Sequence, residues 1–139
     1  MKDSVKFYDF FCRELLGFET LHIMDEHAMW FRYGATAIGI SPGTAVQHHK
    51  FNPGLHHLAF NLDNRAQVDE AYIKITKFYA DNEGVDLGKI LDAPAEYPYM
   101  PGYYAVFFTD PDGIKLELVY TPAEAYLADV PPETHLASN

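Results

Sequence analysis

A helical segment followed by three short alternating runs occurs twice in this chain, and that order constrains the fold more than any single motif. Ser4 to Leu16 reads as the first helix. Asp3 or Ser4 can cap it, Val5, Tyr8, Phe11, Cys12, Leu15 and Leu16 recur at helical spacing, and Gly17 is a natural stop. Strand-like runs follow at Phe18 to Ile23, Ala28 to Tyr33 and Ala35 to Ile40, separated by polar Asp25 to His27 and by Gly34. Ser41 to Pro53 contains "SPG" and "NPG" and reads as a connector. The second block opens with an extra strand, Leu55 to Leu62. Asp63 or Asn64 then caps a helix running to about Asp81, with Val68, Ala71, Tyr72, Ile75, Phe78 and Tyr79 on one face. Strand candidates follow at Leu87 to Leu91, Tyr103 to Thr109 and Ile114 to Tyr120. Asp110-Pro111-Asp112-Gly113 is a strong turn between the last two.

The two blocks are one unit repeated in pattern rather than in letters, except that the first lacks an opening strand. The expected fold class is therefore α+β, with paired βαβββ modules forming a curled mixed β-sheet. Residues 1–42 make the first module, 43–53 the connector and 54–121 the second module of a single domain. Residues 122–139 form a tail that starts with a short helix at Pro122 to Leu127 and continues loose and Pro-rich.

A length of 139 residues suits one domain with its own core. Aromatic residues make up 15% of the chain, which argues against disorder. The net charge of -10 disfavours nucleic acid and anionic membranes, which would be repelled, and leaves room for a cation. The single cysteine, Cys12, excludes an internal disulfide and fits a reducing cytoplasm. The N-terminal stretch interleaves charges with apolar residues, unlike a signal peptide, and no run reaches the ~18 apolar residues of a membrane span.

Side chains alternate across a strand, so the histidines of "GLHHLAFNLD" face opposite ways. His56, Leu58, Phe60 and Leu62 share the greasy face expected to pack on the helices. Leu55, His57, Ala59 and Asn61 share the other. In the last strand Ile114, Leu116, Leu118 and Tyr120 are the greasy side, and Lys115, Glu117 and Val119 the opposite one. His57 and Glu117 thus both point away from the helices. Polar residues outward also describe any half-exposed antiparallel sheet, so pattern alone leaves both a metal pair and two solvated residues open.

Three stretches carry a resemblance to a known family. "SVKFYDFFCRELLGFE" resembles the first-helix signature of the vicinal oxygen chelate superfamily, which includes glyoxalases, bleomycin- and fosfomycin-resistance proteins and extradiol dioxygenases. "LHHLAF" resembles the opening strand of its second module, and "YYAVFFTDPDGIKLELV" its closing hairpin. The likeness spans about Asp3 to Thr121. It implies that His57 and Glu117 are metal ligands, with Glu117 also catalytic, and that the cofactor is one divalent ion: Zn, Mn, Ni, Co or Fe. It further implies a small oxygenated substrate, two of whose oxygens meet adjacent open positions on the ion.

Members of this superfamily open with a strand that carries another ligand and ends in V-x-D. Here Met1 begins where that strand would end. Either the coding frame extends upstream, or the chain is short and something else completes the shell. His22, His27, His48 and His49 are candidate substitutes for the missing ligand; each also fits a solvated surface position. A module lacking one strand leaves an unpaired edge, and a homodimer is expected from it. Where fosfomycin-resistance members and extradiol dioxygenases resemble each other in a tyrosine, this chain has Phe107, which cannot donate a proton. Ala105 replaces the serine of the fosfomycin enzymes. "ATAIGI" offers no first-module ligand of the glyoxalase I kind.

The loop "PAEYPYMPGYYAVFF" supplies Tyr97, Tyr99 and Tyr103 which, with Phe107, form a candidate aromatic wall over the substrate. The same residues could simply cover the core. Glu96 is either a general base or a solvated loop acid. The expectation is a cytoplasmic metal-dependent lyase, isomerase or dioxygenase. A metal-free binding protein of the bleomycin-resistance type is one alternative, and an inactive chain associating through its open edge is another.

Overall fold

The protein is described here from a computed structural model covering residues 1–25, 27–34, 36–43 and 53–127. The expected strand Leu55 to Leu62 and the helix running to about Asp81 lie within it, whereas the body of the connector, His48 and His49 within it, and the end of the tail lie outside the described residues.

Helix α1 (Lys2–Phe10) continues into a wider π-helical turn at Phe11–Leu15 before Gly17 turns the chain at φ +65°. The side-chain cap expected from Asp3 or Ser4 does not form. Met1 occupies the cap position, Asp3 lies in the first turn, and Ser4 is buried with its hydroxyl donating to Asp112 Oδ2 at 3.1 Å. Strands β1 (Glu19–Met24), β2 (His27–Phe31) and β3 (Ala37–Ile40) form an antiparallel meander in the order β1-β2-β3. Its inner face carries Ala28 and Trp30, both fully buried.

The second module holds β4 (Leu58–Asn61), α2 (Arg65–Asp81), β5 (Ile90–Glu96), β6 (Tyr104–Thr109) and β7 (Lys115–Tyr120). Its sheet runs β4-β7-β6-β5, with β4 parallel to β7 and the remaining pairs antiparallel. Asn64 caps α2 as expected, its side chain accepting from Gln67 N at 3.0 Å. The paired α+β modules are thus present, arranged as two sheets that do not close. The short helix α3 (Ala123–Leu127) follows.

One strand is displaced from its expected place. Leu87 to Leu91 was the candidate, but β5 starts at Ile90 and runs through Pro94 to Glu96. Leu87 is buried, yet the next residue, Gly88, turns at φ +108°, and a Cβ there would meet Thr109 O at 2.0 Å. Only glycine permits that approach, so the strand begins after it. β5 is the edge of its sheet, where Pro94 is tolerated, and its register with β6 shifts twice.

Helix α1 ties the sheets together. Phe7 and Phe11 stack at 5.9 Å and both reach Phe108 of β6, while Phe11 meets Phe60 of β4 edge-on at 5.4 Å. On its other flank Tyr8 stacks with Trp30 at 6.3 Å, and Trp30 Nε1 donates to Asp9 Oδ1 at 2.9 Å. The turn at Asp110 is fastened to the same helix. Its carboxylate accepts from the Tyr8 hydroxyl at 2.9 Å and from the backbone N–H groups of Asp112 and Ile114 at 2.9 and 2.8 Å. Burial raises the Asp110 carboxyl above its ordinary value, although the N–H of Ile114 and the Tyr8 hydroxyl pull the other way.

Candidate metal centre

A parallel pairing puts the last residue before β4 beside the middle of β7. Ala59 lies opposite Glu117 in register, with Leu58 opposite Leu116 and Phe60 opposite Leu118. Leu116 and Leu118 are fully buried against the helices, so Ala59 and Glu117 take the opposite face. The observed strand begins at Leu58 rather than Leu55, and His57 sits one residue ahead of it. The parity of the alternation still holds there. His57 Nε2 lies 3.3 Å from Glu117 Oε2.

Glu117 is 1% exposed, so its charge needs partners. His57 covers one oxygen, and the hydroxyl of Tyr103 donates to the other, Oε1. His57 is only half buried, so the imidazole forms the solvent side of the pair. The reading of His56 as a packed structural residue is corrected: it is exposed, and its Nδ1 lies 2.6 Å from Nδ1 of His57. The reason is that the chain at His56 has not yet entered the sheet, so strand alternation does not fix its direction. One of the two rings donates and the other accepts, which orients His57 with Nε2 toward Glu117.

The four aromatics named from the loop and β6 form one surface. Tyr97 meets Phe107 edge-on at 5.2 Å and stacks on Tyr99 at 5.7 Å, while Tyr99 meets Tyr103 edge-on at 5.3 Å. Phe107, Tyr97 and Tyr103 pack with Ala105 and Val119 in a small apolar cluster separate from the main core, and Tyr99 stands exposed beside it. Partial burial, with the Asp92 carboxylate nearby, raises the Tyr97 phenol above its ordinary value. Lys115 Nζ stands 4.1 Å over the Phe107 ring, a cation–π contact that counting alternation in β7 could have suggested. An open depression of about 540 Å³ lies against Tyr97, Tyr99, Met100 and Tyr103. A second cavity of about 510 Å³, lined by Leu16, Arg32, Phe60 and Lys74, is on the helix side and does not include Glu117. Glu96 is exposed and pairs with Arg65 Nη1 at 2.5 Å, which fits a solvated loop acid.

The donor pair fits a divalent ion. Two ligands each about 2.1 Å from one ion lie roughly 3.0–3.4 Å apart at octahedral or tetrahedral angles, and the His57–Glu117 separation of 3.3 Å falls in that range. Imidazole and carboxylate together suit several first-row ions. They would supply two positions of a shell. Among the described residues no third histidine, cysteine or acid joins them. His22 and His27 lie on the first sheet, in contact with each other.

The whole-chain comparisons agree with this architecture. The family model of the Glyoxalase/Bleomycin resistance protein/Dioxygenase superfamily matches residues 1–118, and the chain belongs to that superfamily. It is 29% identical over 127 residues to YqjT, an uncharacterised protein of Bacillus subtilis strain 168, covering 86% of this chain and 89% of that one. Among solved structures it is similar to a presumed glyoxalase of Bacillus halodurans, with 26% identity, a TM-score of 0.65 and 87% of each chain covered. The fosfomycin resistance protein FosX of Listeria monocytogenes shares the fold at 18% identity and a TM-score of 0.61, with 86% of each chain covered. A lactoylglutathione lyase of Agrobacterium tumefaciens shares it at 20% identity and a TM-score of 0.54, covering 85% of this chain and 86% of that one. No helix among the described residues is long and apolar enough to cross a membrane.

Proposed function

We propose that this protein is a divalent-metal-dependent lyase, isomerase or dioxygenase acting on a small oxygenated molecule, with His57 and Glu117 as its metal ligands. The observation that carries the reading is a fully buried carboxylate held 3.3 Å from a half-exposed imidazole on the outward face of the sheet. The ion would supply Lewis-acid polarisation of the substrate's oxygens. The chain's own residues do the rest. Tyr103 holds one oxygen of Glu117 and leaves the other toward His57. Phe107 has no proton to give, so proton transfer at this face rests on Glu117 and Tyr103. Tyr97, Tyr99 and Phe107 form an aromatic wall that orients the substrate and keeps water from one side of it. Water, substrate or a second copy in a homodimer completes the shell, and a cytoplasmic setting suits the single free thiol.

A metal-free binding protein is the second reading, and one observation favours it: both oxygens of Glu117 already have partners within the chain. Metal analysis of protein purified without chelator separates the two. We expect near one ion per chain, with affinity at least about tenfold lower in His57→Ala and Glu117→Ala, and lowered about tenfold in Tyr103→Phe, which removes only the outer hydrogen bond. Protein free of divalent metal as purified sinks the enzyme reading and leaves the binding one, whereas divalent metal that survives both ligand substitutions overturns His57 and Glu117 as its ligands.

A further inference from the structure

The outward face of the first sheet carries a different donor set. In register His22 faces Met29 and Met24 faces His27, so these four side chains share one face, opposite buried Ala28 and Trp30. The spacing His-x-Met in β1 and His-x-Met in β2 produces this by strict alternation. His22 Nε2 lies 2.6 Å from His27 Nδ1. On the third strand Gly39 faces Met29, and a Cβ at that position would sit 3.4 Å from both His27 Nε2 and the Met29 methyl. The glycine therefore leaves space beside the two donor side chains. His22, His27 and Met29 are half-buried, accessible to an ion yet held by the sheet.

We propose that His22, His27 and Met29, with Met24 at the rim, form a site for one cuprous ion, distinct from the pair at His57 and Glu117. Imidazole alone would accept zinc, nickel or copper. Thioether sulfur is a soft donor that selects monovalent copper among these, and a set of neutral donors suits a single positive charge better than two. A carboxylate, which would favour a harder ion, is not among the four. An ion bound to both imidazoles at roughly 2.0 Å requires their nitrogens to part by about 1 Å, which rotation of two half-buried rings provides. Such a site would let the chain bind or pass on copper without using the other sheet.

The test is an anaerobic titration of metal-stripped protein with Cu(I), in competition with a chromophoric bicinchoninate chelator, beside a parallel titration with Zn(II). One Cu(I) per chain is expected. The His22→Gln/His27→Gln double variant should bind at least tenfold more weakly. Met29→Leu should weaken Cu(I) about tenfold while leaving Zn(II) unchanged, because only the soft donor is lost. Gly39→Ala should weaken Cu(I) by filling the space beside the donors. Glu117→Gln should retain Cu(I), which keeps this site's fate separate from that of the metal centre. Circular dichroism checks folding; if the double variant does not fold, Met29→Leu and Gly39→Ala decide alone. Wild type that takes up no Cu(I), Met29→Leu that binds as wild type does, or Glu117→Gln that loses the ion would each overturn the proposal.

Discussion

Among the described residues the two sheets differ by one strand, and that strand creates the candidate site. In the second, β4 enters parallel to β7 and delivers His57 to Glu117. In the first, β3 stands at the edge among the described residues, and its outward positions are Ala37 and Gly39, which carry no donor. A parallel neighbour is thus the device that brings an imidazole beside a lone buried glutamate. The first sheet reaches its own donor cluster by a different route, a hairpin that places His22 and Met24 against Met29 and His27.

The largest expected effect tests whether the sheets are one cooperative unit. Phe108→Ala and Trp30→Ala each empty a fully buried ring site, one per sheet, and both sites touch α1, through Phe7 and Tyr8. Each should cost about 3–5 kcal/mol in urea unfolding and keep a single transition. A second transition at the wild-type midpoint in Trp30→Ala would mean that the sheets melt separately. Next in size is Asp110→Ala, which removes the acceptor for the Tyr8 hydroxyl and two backbone N–H groups at the turn of the second sheet. About 2–4 kcal/mol of destabilisation is expected, again read from unfolding curves. A loss under about 1 kcal/mol would show that the helix holds the turn by ring packing alone. The smallest effect separates the two glutamates of the site region. Glu96→Gln breaks an exposed pair with Arg65 and should shift stability by less than about 1 kcal/mol and leave metal content unchanged. A metal loss in Glu96→Gln would move Glu96 into the site.

Much of this was legible because it depends on local periodicity. Alternation in Lys115–Tyr120 placed Glu117 on the face away from the helices, and the helical stripe of α2 named Val68, Ala71 and Ile75, all buried. The Asp-Pro-Asp-Gly turn lies between β6 and β7 as its residues require. Legibility failed where a neighbour distant in the chain made the decision. β5 begins late because Thr109 crowds Gly88, and nothing near Leu87 announces that contact. Ser4 reads as a cap in isolation but bonds to Asp112, 108 residues away. His56 departs from the alternation because it precedes the first residue of the strand, Leu58.

By itself, then, the sequence determined the repeated helix-and-strands order, the apolar stripes of the helices and the side of the last strand on which Glu117 stands. These follow from bond geometry and burial within a few residues. Only the tertiary structure decided that His57 meets Glu117, that Tyr103 seals the carboxylate, and that His22 meets His27 across the first hairpin. Register between strands and the entry of one chain segment beside another are set by packing across the whole core, and no local pattern encodes them.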